Sequence, residues 1–293
     1  GRDKLDALFA RVMGAEDALC RSHFLSGTHA LTVALFGCLR TGDTLLAATG
    51  RPYDTLAGVI GIDGEGVGCG SLAEYGIGYD EAPLLPNGSP DLALIAQKAK
   101  TATVCHIQRS RGYANRPALS LETIGAIGRT ARAANPKIIV FVDNCYGEFT
   151  QTAEPVGAGA DLMVGSLIKN PGGGIAPTGG YIAGRADLVE RCGHRLTAPG
   201  TGRELGCTLD VLRQMYLGLY YAQGVTAEAL KSSVYASALL GLLGIPAQPA
   251  PHADRNDIIT SFEAGSAEAL VSFCQGIQAG SPVDSFVRPE PYA

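Results

Sequence analysis

The sequence lacks any apolar run near the roughly 18 residues that a membrane helix needs, and it opens without a signal-peptide pattern. A membrane span and a membrane partner are thereby excluded. It also lacks an excess of positive charge. With 23 Lys and Arg against 28 Asp and Glu, the formal net charge is -5, so no basic face is expected and nucleic acid is excluded as a partner. No CxxC pair occurs among the eight cysteines, Cys20, Cys38, Cys69, Cys105, Cys145, Cys192, Cys207 and Cys274, most of which have apolar neighbours. That pattern points to reduced thiols in a cytoplasmic protein. The five histidines, His23, His29, His106, His194 and His252, never recur at a spacing that would pair two ligands, so no metal is expected. Neither a P-loop nor a GxGxxG fingerprint is present, which argues against a nucleotide-binding protein. Internal repeats and low-complexity segments are absent too.

What remains is an ordinary globular composition, 46% hydrophobic and 17% charged over 293 residues, enough for a full core and for two unequal domains. The chain opens at Gly1 without a methionine and reads as a fragment of a longer protein.

Leu5, Leu8, Phe9 and Val12 recur at helical spacing and predict a helix over 3–19. A second apolar helix, 30–39, follows Ser26-Gly27-Thr28. A serine and a glycine at a helix start leave backbone N–H groups free to bind an anion, or simply cap the helix. Residues 44–49 predict a strand that leaves Tyr53 near its end, either beside a ligand or as packing. Five glycines between Gly61 and Gly70 predict a mobile loop, and Ser89-Pro90-Asp91 opens a helix running to Lys100, with the proline at its first position. A strand over 103–107 delivers Arg109 and Arg111, which form either a carboxylate or phosphate clamp or a solvated turn. Ser120 starts a helix that stops at Asn135-Pro136.

The apolar run 138–142 reads as a strand buried on both faces and ending in Asp143, where a carboxylate is costly without a cationic partner. Further strands follow at 161–165 and 178–183, with Lys169 between them at the head of a glycine run. Partial burial disfavours an ammonium and would make this lysine a nucleophile; the plainer reading is a surface lysine before a turn. The alternation up to about residue 195 predicts an α/β fold with a mainly parallel sheet covered by helices. A long helix over 208–243, with a break possible near Gly224, leads to a strand over 257–263 and a helix over 266–278. The expected domains are 1–206 and 207–293, the second a smaller, incomplete α/β domain.

Five motifs stand in one order: SGTHA (26–30), GRPYDTL (50–56), QRSRGY (108–113), VDNCYGEF (142–149) and SLIKNPGGGIAPTGGYIAG (166–184). Together they resemble the fold-type-I pyridoxal-phosphate enzymes, within them the cystathionine and methionine lyase group, and most closely its methionine gamma-lyase family or aluminium resistance protein branch. The resemblance spans nearly the whole chain. It implies pyridoxal 5'-phosphate as cofactor, bound as a Schiff base to Lys169, with Asp143 on the pyridine nitrogen. Ser26, Gly27, Thr28 and Ser166 would hold the phosphate. Tyr53 would stack on the ring and share the catalytic role with Lys169, while Arg109 or Arg111 would hold the substrate carboxylate. The implied activity is carbon–sulfur bond cleavage in a sulfur amino acid by a homodimer or homotetramer. The alternative is a degenerate homologue that acts by binding or assembly.

Overall fold

The structure, a computed structural model, describes residues 1–291. The chain forms two compact units, one of Gly1–Ser232 with Asp254–Ile259, the other of Ser233–Ala253 with Thr260–Ala293.

In the first unit, helix α1 (Arg2–Met13) buries Leu5, Phe9 and Met13. It ends earlier than the apolar spacing predicts. Gly14 takes up the left-handed conformation (φ 67°) and donates its N–H to the last carbonyls, after which the chain turns into strand β1 (Asp17–Arg21). Strands β2 (Thr44–Ala47), β3 (Gly78–Glu81), β4 (Val104–Gln108), β5 (Ile139–Asp143), β6 (Leu162–Ser166) and β7 (Gly180–Gly184) complete one seven-stranded sheet in the order β1-β7-β6-β5-β4-β2-β3. From β3 to β6 all neighbours are parallel; β7 runs antiparallel to β6 and β1 antiparallel to β7. The sheet is thus mainly parallel, as expected, with β1 and β3 added at its two edges. Neither edge strand carries the continuous apolar run that marks the centre.

Helices cover both faces. α2 (Gly27–Cys38), α3 (Asp54–Ile60) and α6 (Ala186–Leu196) bury Leu31, Leu56 and Leu188 against Val104, Phe141 and Val164. On the other face α1, α4 (Leu92–Ala99), α5 (Leu121–Ala134) and the start of α7 (Leu212–Leu242) pack Phe9, Ile95, Ile127 and Met215 against Ile107, Val142 and Met163. α4 starts later than predicted: Asp91, not Ser89, is its cap and accepts from the Leu94 N–H at 2.9 Å, so Pro90 precedes the helix. Ser120 caps α5 as expected. The 61–70 loop is tied down, the Glu74 carboxylate accepting from the N–H groups of Gly68, Gly70 and Ser71 at 2.8, 2.7 and 2.9 Å.

α7 continues without a break at Gly224. The second unit holds the end of α7, a two-stranded antiparallel ribbon of β8 (Ala247–Gln248) and β9 (Ser261–Phe262), and α8 (Ala267–Ala279). The strand predicted over 257–263 is only these two residues of β9. Ser266 caps α8, and Phe273 on that helix meets Phe262 with ring centroids 4.7 Å apart. Among the described residues no helix is long and apolar enough to cross a membrane.

Candidate active site

Side chains alternate along a strand, and register decides which polar groups meet at the carboxyl edge of the sheet. Gln108, Asp143 and Val164 are paired across β4, β5 and β6, so they share a face, and Ser166 lies two residues beyond Val164 on the same side. This is the face that α2 covers. The Ser26 Oγ caps α2 by accepting from the His29 N–H at 3.0 Å. The N–H groups of Gly27 and Thr28 have no partner among the described residues. They point the positive end of a helix dipole at whatever lies before it. Gly27 is what keeps this place open, because a Cβ there would stand 3.3 Å from Ser166 Cβ and 3.4 Å from Cys145 Sγ.

Tyr53, half-buried at the start of α3, is held at both ends: its N–H donates to Gln108 Oε1 at 3.2 Å and its hydroxyl lies 3.2 Å from Thr28 Oγ1. Thr28 also meets Thr55 Oγ1 at 3.0 Å. Tyr53 borders a cavity of about 540 Å³ whose wall includes Gln108, Arg111 and Arg116.

Asp143 is buried, and its Oδ1 accepts the Cys145 N–H at 3.1 Å. Burial pushes its carboxyl up; the Lys169 ammonium and the Cys145 N–H pull it back. The chain after Asp143 turns tightly, with Tyr146 at φ 69° and Phe149 at φ 60°, a conformation that costs a non-glycine residue energy. The turn brings the Tyr146 ring against Lys169, with Nζ 4.0 Å from the ring centroid.

The expectation that burial leaves Lys169 neutral is overturned. Burial does work against its ammonium, but the acidic groups around it, the Asp143 carboxyl among them, outweigh it and hold the amine above the ordinary lysine range. The Cys145 thiol is itself pushed far up by burial and stays protonated at neutral pH. Asp143 is therefore the anion that matters there.

The two predicted arginines part company. Arg109, one residue past Gln108, points through the opposite face of the sheet and is fully buried. Its guanidinium donates to Asn144 Oδ1 (2.8 Å), Thr150 Oγ1 (3.2 Å) and Gln151 Oε1 (3.0 Å) and lies 3.5 Å from Glu154. The proposed role of Arg109 as a substrate clamp is thus corrected: its charge is used to hold the 144–154 loop. Arg111 stays beside Tyr53 at the cavity wall, its Nε donating to Ala114 O at 3.1 Å.

Sequence reasoning did not single out Gln108, Tyr146, Glu148 or Arg116. Gln108 was accessible through strand alternation alone. Tyr146 and Glu148 are placed by a turn whose left-handed positions fall on Tyr146 and Phe149 rather than on its Asn144 or Gly147, so the sequence does not announce where the chain bends.

A family model described as methionine gamma-lyase matches residues 1–293. The uncharacterized protein YnbB of Bacillus subtilis strain 168 is 47% identical over 292 residues, 99% of this chain and 69% of that protein. Among solved structures, a carbon-sulfur lyase involved in aluminum resistance from Clostridium novyi NT superposes with a TM-score of 0.96 at 49% identity, over 100% of this chain and 70% of that one. At 21% identity CalE6, a methionine gamma lyase from Micromonospora echinospora, shares the fold, with a TM-score of 0.64 over 92% of this chain and 71% of its own.

Proposed function

This chain belongs to the methionine gamma-lyase family, and from that premise we propose that it is a pyridoxal-phosphate-dependent lyase that cleaves a carbon–sulfur bond of a sulfur amino acid. One observation carries the reading. An amine, a buried carboxylate, a hydroxyl and two helix N–H groups without a partner among the described residues converge on one edge of the sheet, contributed by motifs far apart in sequence.

The residues fit the cofactor group by group. The N–H groups of Gly27 and Thr28, with the Ser166 hydroxyl, would hold a phosphate, and the narrow gap between Gly27 and Ser166 makes any side chain at 27 a tight fit. Asp143 would hold a protonated pyridine nitrogen, which gives its buried charge a cationic partner besides Lys169. Tyr53 would lie along the ring, kept in place by Thr28 and Gln108. When bound, pyridoxal phosphate supplies an electron-withdrawing ring that stabilises negative charge on the carbon beside the substrate amine. Lys169 Nζ would hold the cofactor covalently and, as a free amine, would serve as the base for that carbon's proton. Both roles need the neutral amine, so in the cofactor-free chain the ammonium must lose its proton before the cofactor can attach. Arg111, beside Tyr53 at the cavity, binds the substrate carboxylate.

The enzyme works as a homodimer or homotetramer with the site at a subunit boundary. Leu25, Tyr113 and Ile168, 78, 95 and 60% exposed, belong to or adjoin the site motifs and leave apolar surface for a second copy to cover. Light scattering checks this, and a fully active monomer would refute it.

The function is tested by incubating the protein with pyridoxal phosphate, reducing with borohydride and mapping the adduct by peptide mass spectrometry. The adduct is expected on Lys169 and absent from Lys169→Ala, with thiol and keto-acid release from a sulfur amino acid by the wild type. An adduct retained by the variant would sink the assignment. Attachment without release from any amino acid would favour a binding role instead.

A further inference from the structure

Lys169 has a second carboxyl neighbour that the proposed mechanism leaves unused. Glu148 is fully buried, and its Oε1 accepts the Tyr181 hydroxyl at 3.0 Å, while its Oε2 has no partner among the described residues. The place is built for it. A Cβ on Gly165 would fall 2.3 Å from Glu148 Oε1 and 2.5 Å from the Tyr181 ring, so only glycine at 165 lets the pair form. Gly165 pairs with Tyr181 between β6 and β7 and lies on the face opposite Ser166 and Asp143. The Lys169 turn is thus flanked by one carboxyl group from each side of the sheet. It is also mechanically joined to Glu148, since the Asn170 side chain donates to Glu148 O at 2.9 Å and to Tyr146 O at 3.2 Å.

The geometry points to Glu148 as a positioning residue for Lys169, a concealed carboxyl whose own proton, kept or lost, sets how tightly the lysine holds its proton. The groups that face it are Tyr181 from β7, Cys145, Asn144 and Glu154 from the loop after β5, Arg109 from the end of β4, and Lys169. Arg109 lies 3.5 Å from Glu154, and Glu148 has no ion pair within 4 Å among the described residues. Burial pushes the Glu148 carboxyl up to about 8, with the Glu154 charge adding to the effect. At neutral pH Glu148 is accordingly mostly protonated, and of the two flanking carboxyl groups Asp143 does more to hold the lysine's proton. Above pH 8 a second negative charge appears in a low-dielectric setting, and the free amine that the chemistry needs becomes harder to form.

The inference takes Lys169 as the reactive lysine from the reading above, but its test needs no cofactor. The cofactor-free full chain is labelled with trace acetic anhydride between pH 6 and 11, and acetylation of each lysine is read by peptide mass spectrometry. Glu148→Gln should acetylate at Lys169 about tenfold more than the wild type at pH 9 to 10, and equally at pH 6 to 7, with Lys98 unchanged throughout. Tyr181→Phe, which removes a hydrogen bond favouring the ionised carboxyl, should move the Lys169 profile in the same direction by less. That variant decides the matter should Glu148→Gln fail to fold. Identical Lys169 profiles in variant and wild type, or a difference already present at pH 6, would overturn the inference. Failure of pyridoxal phosphate to attach at Lys169 would strike the proposed function and leave this result standing.

Discussion

His106 offers a sharp test of how burial and titration act in this core. It stands on β4 in register with Phe141, fully buried, with neither ring nitrogen partnered among the described residues and ring centroids 5.7 Å apart. An unpaired buried donor costs about 1–3 kcal/mol in lost hydration. Replacement by phenylalanine removes both polar atoms and keeps an aromatic ring against Phe141, at a small cost in crowding because phenylalanine is larger. His106→Phe is therefore expected to stabilise the protein by about 1–2 kcal/mol at pH 7.5. Acid widens the gap. Burial, with the Arg116 charge nearby, depresses the folded-state value to about 4 from the 6.5 of a free histidine. A group depressed in this way contributes stability that is complete above 6.5 and is lost as pH falls through 4. Over that interval the loss has a ceiling of about 3 kcal/mol, at 1.36 kcal/mol per pH unit, and the phenylalanine variant escapes it. Urea denaturation of both proteins at pH 7.5, 5.5 and 4.5 measures the difference, in which titrations elsewhere cancel. A destabilised variant at pH 7.5, or a gap independent of pH, would refute the reasoning.

Arg109→Leu should cost about 3–5 kcal/mol in denaturant unfolding, because it strands the buried Glu154 carboxylate; a loss under 1 kcal/mol would return Arg109 to the candidates for ligand binding. Gly218→Ala places a Cβ 2.4 Å from Gly172 O, where α7 crosses the glycine run behind Lys169, and should lower stability by about 1–3 kcal/mol; an unchanged Tm would mean the crossing is looser than it looks. Asp143→Asn keeps shape and should retain pyridoxal phosphate on Lys169 while losing most turnover, measured as thiol release; full turnover would make the carboxylate purely structural.

The central strands were legible because β4, β5 and β6 are buried on both faces and read as apolar runs, and Asp143 stood out as the one charge ending such a run. The start of α2 was legible from Ser26 and Gly27. β1 was not, since its residues continue the apolar spacing of α1 and, of the short link Gly14-Ala15-Glu16 between them, only Gly14 signals a break. The split between Gln108 and Arg109 was within reach of alternation, yet a pair of arginines drew attention to charge before facing. The ammonium state of Lys169 was out of reach. It follows from the Asp143 carboxyl at the end of another strand, which only the register of the sheet brings near.

The facing of β4 limits how this sequence can vary. Val104, His106 and Gln108 serve one side, and Cys105, Ile107 and then Arg109 the other. Deleting one residue inside the strand would carry the arginine to the side of Tyr53 and drop a glutamine beside Glu154, inverting both environments at once. Single substitutions along this buried strand act on one face at a time, but an insertion or deletion of odd length within it would unmake the site and the core together.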